Sequence, residues 1–182
     1  TVSPAAWERS RNTTTPRFYF DWAMLQASLE AGSTPFTPAV SLVVALDTAL
    51  GLLLEEGLEH AFSRHAALGR ACREGAKAMG LELFSPDEER SAVVTAVLTP
   101  EGVDARALVL GLRDRFGITV AGAHGELGPR MFRIGHIGYY DVFDITTVLA
   151  AVEVLLAESG ADIERGVAVA RALEAYREAA RV

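Results

Sequence analysis

Apolar residues are spaced in different ways along this chain, and each spacing predicts a different element. Residues 38–56 read PAVSLVVALDTALGLLLEE, apolar on nearly every side of a helix, with Asp47 the one charge before the terminal glutamates. Thr37 stands as an N-cap and Pro38 as a first-turn residue, so a helix is predicted from there to Glu56, where Gly57 stops it. A second long helix is predicted over 58–79, with Leu58, Phe62, Ala66, Gly69 and Met79 on its apolar side and arginines on its outer face. Leu108, Val109, Leu112 and Phe116 recur at helical spacing between a capping Asp104 and Gly117, and Val142, Ile145, Val148, Leu149, Val152 and Leu155 do so before Gly160. A last helix is predicted over 163–180.

Between these helices the pattern shortens. Residues 81–84, 92–98, 118–121 and 131–136 read as strands, separated by a charged turn at 85–90 and a glycine-containing loop at 122–130. The order β-β-α-β-β-α predicts an α+β fold: a small, mostly antiparallel sheet with helices on one face. The first 57 residues differ. Residues 1–17 are polar and turn-rich, a short helix is predicted over 21–29, and two prolines break the chain at 31–38. Two helices without a sheet to pack on do not make a domain. The expectation is that 1–57 form the end of a larger domain and its interface helix, and that 58–182 form a small C-terminal domain. The start at Thr1 rather than at a methionine fits that expectation, as it fits removal of an initiator.

Composition narrows the function. With 182 residues and half of them hydrophobic, the chain has material for a core. Seventeen basic residues against 24 acidic ones give a net charge of −7, a poor electrostatic match to nucleic acid or an anionic membrane. Asp47 in the middle of the most apolar run argues against a membrane span and for a helix buried between domains or subunits. The single cysteine, Cys72, excludes an internal disulfide and fits a reducing, cytoplasmic setting. Lys77 is the only lysine among seventeen basic residues, so it is the only side-chain amine available for Schiff-base chemistry.

Common catalytic patterns are absent from the sequence. His60, His65, His124 and His136 have no metal-ligand spacing, no nucleophile elbow occurs, and Gly122-Ala123-His124-Gly125 precedes a strand rather than the helix a phosphate loop needs. Arg133 stands out. An arginine on a short strand beside Gly135 and Gly138 presents a planar fork that suits a carboxylate, although spacing alone favours a surface arginine paired with a nearby acid.

Phe132-Arg133-Ile134-Gly135-His136-Ile137-Gly138-Tyr139, preceded by Gly117-Ile118-Thr119-Val120-Ala121-Gly122-Ala123, resembles the C-terminal region of class V, fold-type I pyridoxal-phosphate aminotransferases. The similarity is greatest to the serine–glyoxylate and alanine–glyoxylate branch and the related soluble hydrogenase small subunit. Arg17-Phe18-Tyr19-Phe20-Asp21, residues 34–42, Glu55-Glu56-Gly57-Leu58-Glu59 and residues 91–97 agree in the same order, so the resemblance covers nearly the whole chain. It implies a homodimeric transaminase that takes pyridoxal 5'-phosphate and moves the amino group of serine or alanine to an oxo acid such as glyoxylate or pyruvate. It implies that Arg133 binds the substrate α-carboxylate, that the loop 122–125 lies on that side, and that Thr37, or alternatively Thr34, reaches the cofactor phosphate of the neighbouring subunit. It also implies that the Schiff-base lysine belongs to the large domain before Thr1, so that no catalytic residue is expected here and Lys77 is expected to be solvent-exposed. The alternative is a non-catalytic fragment or a hydrogenase-subunit-like partner.

Overall fold

The computed structural model describes residues 1–86 and 91–179. The expected charged turn at 85–90 therefore lies mostly outside the described residues, as does Ala180 at the end of the last expected helix. Contacts divide the chain into two compact units, Thr1–Leu52 and Leu53–Val182.

The first unit is helical and has no buried interior. It holds α1 (Pro4–Arg11), α2 (Trp22–Glu30) and most of α3 (Val40–Glu56). Helix α1 stands where polar turns were expected. Ser3 accepts a hydrogen bond from the Ala6 N–H and Pro4 presets the first turn, and these two residues suffice to start a short helix. Asp21 caps α2 through the N–H groups of Ala23 and Met24. Helix α3 begins later than expected. The Val40 N–H turns back to the Pro38 carbonyl at 2.9 Å and the helical ladder opens with Val43 donating to Ala39, so Thr37 lies outside the helix and does not cap it.

The second unit carries the core. Helix α4 (Leu58–Ala78) begins after Gly57, whose φ of +87° breaks the run from α3. Strand β1 (Val94–Leu98), helix α5 (Ala105–Phe116), strand β2 (Ala121–Gly122), strand β3 (Met131–Gly135), helix α6 (Val142–Glu158) and helix α7 (Ala168–Ala179) follow. The three strands form an antiparallel sheet in the order β1-β3-β2. This is the expected α+β architecture, with two strands shorter than expected. Residues 81–84 make one isolated bridge, Leu83 to Val97, and the 118–121 strand is reduced to Ala121–Gly122, because Ile118 and Val120 pack against the core as part of an irregular approach. Helix α7 starts at Ala168 rather than 163, after Gly166 at φ +76°.

Packing explains the choice of residues. Thr95, Val97, Phe132 and Ile134 are buried on one face of the sheet, and Leu68, Ala71, Cys72 and Ala76 of α4, Leu112 of α5, and Ile145, Leu149 and Val152 of α6 complete the interior. Alanines on α4 meet Ala168 and Ala172 of α7, which lets the backbones approach closely. At Gly75 an added Cβ would stand 2.5 Å from Leu149 Cδ1 and 3.0 Å from the Ala168 carbonyl oxygen, so only glycine fits without a shift. The burial of α4 corrects two expectations. Phe62 and Leu58, assigned to the apolar side, are exposed, while Arg73, expected outside, is only 7% exposed and donates to the Ser91 carbonyl. The helix turns its small residues inward, and the long ones at its start are left out.

Candidate functional site

Arg133 is presented by the middle of β3. Its neighbours on the strand, Phe132 and Ile134, are buried, so period-two alternation turns Arg133 to the opposite face of the sheet. Register places Ala96 of β1 on one side of it and Ala121 of β2 on the other. Two residues further along the same face is Gly135, where an added Cβ would meet nothing within 4 Å. The residues beside Arg133 on this face are therefore small: Ala96, Ala121 and Gly135.

One edge of that guanidinium is already held. Nε and Nη2 donate to the Gly122 carbonyl at 3.2 and 2.7 Å. A guanidinium has five N–H donors in a rigid fork, so this clamp leaves the Nη1–Nη2 edge, which can take a carboxylate bidentately. No described carboxylate lies within ion-pairing distance of Arg133. The surface-ion-pair reading that spacing favoured does not hold among the described residues. Gly122 is the residue that sequence reasoning did not single out as a partner. It acts through its carbonyl, which carries no side-chain signal, although the resemblance had put the 122–125 loop on this side. His124 precedes a short 3-10 turn at Gly125–Leu127 and is exposed.

Thr34 and Thr37 belong to the first unit. Phe36, between them in sequence, stacks on Tyr19 with ring centroids 4.8 Å apart and meets Phe18 edge-on, which fixes the loop. The Thr34 hydroxyl donates to the Phe36 carbonyl at 2.7 Å and is spent within its own turn. The Thr37 side chain is exposed and, among the described residues, makes no hydrogen bond, nor does a described side chain cap the first turn of α3 just beyond it. A hydroxyl beside an uncapped helix N-terminus fits a phosphate group. On this geometry Thr37 suits that ligand better than Thr34.

Behind the sheet lies a buried polar cluster. His136 is fully buried and its Nε2 pairs with the Thr95 hydroxyl at 2.9 Å. Its Nδ1 has no hydrogen-bond partner among the described residues. Burial lowers its pKa to about 4, with the positive charge of Arg73 adding to the effect and the nearby Ala92 backbone opposing it. Burial likewise pushes the Cys72 thiol up to about 12, so it is an inert core residue. Lys77 is exposed and ion-paired with Glu74. No group of three or more potential metal ligands occurs among the described residues, and no described helix is long and apolar enough to cross a membrane.

No protein-family model matches the chain. Individual proteins do. It is 39% identical over 176 residues to the soluble hydrogenase 42 kDa subunit of Anabaena cylindrica, covering 96% of this chain and 46% of that protein. It is 35% identical to the serine–glyoxylate aminotransferase of Methylorubrum extorquens, covering 97% of this chain and 44% of that one. The crystal structure of ureidoglycine–glyoxylate aminotransferase from Bacillus subtilis superposes with a TM-score of 0.85 at 37% identity, over 93% of this chain and 44% of that one. Along nearly its whole length the chain is similar to class V aminotransferases. It corresponds to the C-terminal half of these class V aminotransferases and spans a little under half the length of the relatives it matches.

Proposed function

We propose that this chain is the substrate-carboxylate half of a pyridoxal-phosphate-dependent aminotransferase that moves the amino group of a small amino acid, such as serine or alanine, to an oxo acid such as glyoxylate or pyruvate. The observation that carries the reading is the Arg133 fork: clamped on one edge by Gly122, open on the other, with alanine and glycine beside it. Pyridoxal phosphate, when bound, supplies the electron sink that makes the Cα–H bond of an amino acid acidic. The task of Arg133 is to bind the α-carboxylate bidentately and fix the rotation of the substrate, so that this bond faces the base. The Gly122 carbonyl keeps the fork from turning away. Thr37, with the first-turn N–H groups of α3, takes a phosphate oxygen of the cofactor carried by a second copy of the protein.

The rest of the protein's organisation follows from the same reading. Residues 1–57 complete the large, cofactor-carrying domain and 58–182 form the small one. The apolar residues of α3, exposed in the single chain, become buried in a cytoplasmic homodimer. The base and Schiff-base lysine belongs to the part of the relatives that this chain does not span. Lys77, ion-paired and exposed, has no apolar pocket to make it a free amine. A second reading, a subunit-like partner without catalysis, is favoured by the name of the Anabaena relative, a hydrogenase subunit.

The deciding experiment is Arg133→Ala in the full-length protein that contains this sequence. A charge-assisted hydrogen bond contributes about 1.5–3 kcal/mol, so loss of a bidentate pair should lower kcat/KM for the amino acid by roughly 10²- to 10³-fold while cofactor stays bound. Arg133→Lys should recover part of the loss, since an ammonium cannot match the fork. A variant within about threefold of wild type would sink the assignment of Arg133, and a full-length protein without any transaminase activity would favour the partner reading. The chain on its own, mixed with pyridoxal phosphate and dialysed, should retain no stoichiometric cofactor.

A further inference from the structure

The loop that continues β3 past Arg133 is held in an unusual way. Ile137, Gly138, Tyr139 and Tyr140 are all exposed, Tyr139 at 97%, so no apolar burial fixes them. Their hydrogen bonds all go to two consecutive residues of α4. Arg64 Nη1 donates to the carbonyls of Gly138 and Tyr140, each at 3.0 Å. His65 Nε2 lies 3.1 Å from the Gly138 nitrogen and 3.3 Å from the Gly138 carbonyl oxygen, accepting from the N–H in one ring tautomer or donating to the carbonyl in the other. Gly138 itself sits at φ +112°, a conformation that only glycine adopts cheaply.

Arg64 is anchored from behind. Its Nε and Nη2 make a bidentate pair with Glu56, the last residue of α3, at 2.6 and 2.9 Å, with both side chains mostly shielded from solvent. The carboxylate fixes one edge of the guanidinium, and the fixed edge aims Nη1 at the two carbonyls. On either side of the loop the chain is secured separately: His136 is buried against Thr95 and its N–H donates to Val93, while Asp141 caps α6 through Phe143 and Asp144. Arg64 and His65 therefore decide the position of the four residues between.

Those residues begin where the open face ends. Along β3 the Arg133 face runs to the bare Gly135, where the strand ends, and Ile137 follows two residues on. We propose that Arg64 and His65, braced by Glu56, are positioning residues: they latch loop 137–140 as the rim of the Arg133 face and thereby set the affinity for the carboxylate substrate. This inference rests on the reading of Arg133 given above.

The test uses the full-length protein, with Arg64→Ala, His65→Ala and Arg64→Lys compared with wild type by amide hydrogen exchange and by steady-state kinetics. Exchange of the Gly138 amide, the loop N–H that lies against His65, should quicken by about 10-fold or more in both alanine variants, with 131–135 unchanged. KM for the amino acid should rise by roughly 5- to 10-fold with kcat within about twofold, and Arg64→Lys should return much of the KM. Should Arg64→Ala fail to fold, Glu56→Gln removes the brace alone and should move both readouts in the same direction by less. Unchanged exchange in the loop would overturn the latch. Faster exchange with an unchanged KM would overturn its role in binding and leave a purely structural clasp. Arg133→Ala is run beside them: if that variant leaves KM unaltered, the carboxylate reading and the positioning role fall together, while the exchange data report separately on whether the latch exists.

Discussion

Helices α3 and α6 are each 17 residues long and overwhelmingly apolar, yet their surroundings are opposite. Helix α6 buries Val142, Ile145, Thr146, Leu149, Ala151, Val152 and Leu156 against α4, α5 and α7. Helix α3 buries nothing, and leaves Leu42, Val43, Val44, Leu46, Leu52 and Leu54 more than half exposed. The same contrast holds for the units they belong to: the first buried residue of the whole chain is Ala61. Apolar composition makes a helix ready for burial, and only complementary surface buries it. The second unit brings its own sheet and helices to α6. The first unit brings no such surface to α3.

The strongest way to break this comparison is to separate the regions. Residues 53–182, produced alone, should unfold in a single cooperative transition in urea, because the interior described above lies within them. Residues 1–52 alone should show no cooperative transition and should self-associate through α3. A sharp transition in the shorter piece, seen at a concentration where sedimentation shows it monomeric, would mean that an interior exists there which burial does not reveal.

A narrower test places one substitution in each helix. Leu149 is 1% exposed in the middle of the core, so Leu149→Ala should cost about 2–5 kcal/mol in a urea titration of the chain. Leu46→Ala in α3 removes an exposed side chain and should change stability by no more than about 0.5 kcal/mol. Equal costs at the two positions would erase the distinction between the regions.

Much of this was legible in the residues, and the exceptions have causes. Helix α5, read from its Asp104 cap, apolar spacing and Gly117 stop, and helix α6, read from its apolar spacing and Gly160 stop, form nearly to the residue, whereas the Asp141 cap of α6 was not read. The strand at 131–135 was equally plain, since Phe132 and Ile134 alternate with Arg133. The strand at 81–84 was not, because a β-rich tetrapeptide says nothing about whether a partner runs beside it, and here only Leu83 finds one. Arg73 and His136 gave no warning of burial: each is a polar residue whose fate depends on what the other elements bring to it. Within the candidate site, Arg133 could be read from strand alternation and family resemblance. The Gly122 clamp and the Arg64 latch could not, because both end on backbone carbonyls.

His136 sharpens the comparison through pH. Its pKa is about 4 in the folded chain and about 6.5 when unfolded, so between those values the unfolded state binds the extra proton. Stability of the second unit should therefore be full above about pH 6.5 and should fall as the pH drops toward 4, by up to about 3 kcal/mol. Surface carboxylates titrate mainly below pH 5, which leaves pH 5–6.5 as the window that isolates the histidine. His136→Gln should flatten the slope there. An unchanged slope in that variant would assign the effect to another group.

The smallest effects come from two glycines, and their signs should be opposite. Gly51 lies inside α3, where an added Cβ would meet nothing within 4 Å. Alanine has the better helix propensity by about 0.8–1 kcal/mol, so Gly51→Ala should strengthen α3, read as slower amide exchange across its middle. Gly75 lies inside α4 at the crossing with α7, and there the same methyl group would stand 2.5 Å from Leu149 Cδ1 and 3.0 Å from the Ala168 carbonyl oxygen. The leucine could swing aside, but the backbone oxygen could not, and the helices would have to separate. Gly75→Ala should therefore cost about 1–3 kcal/mol despite the same gain in propensity. Combining it with Leu149→Ala, which vacates one of the three close atoms, should make the pair less costly than the sum of the singles. Strict additivity would mean that the Ala168 carbonyl and the Ala172 Cβ, at 3.0 and 3.2 Å, set the spacing of α4 and α7.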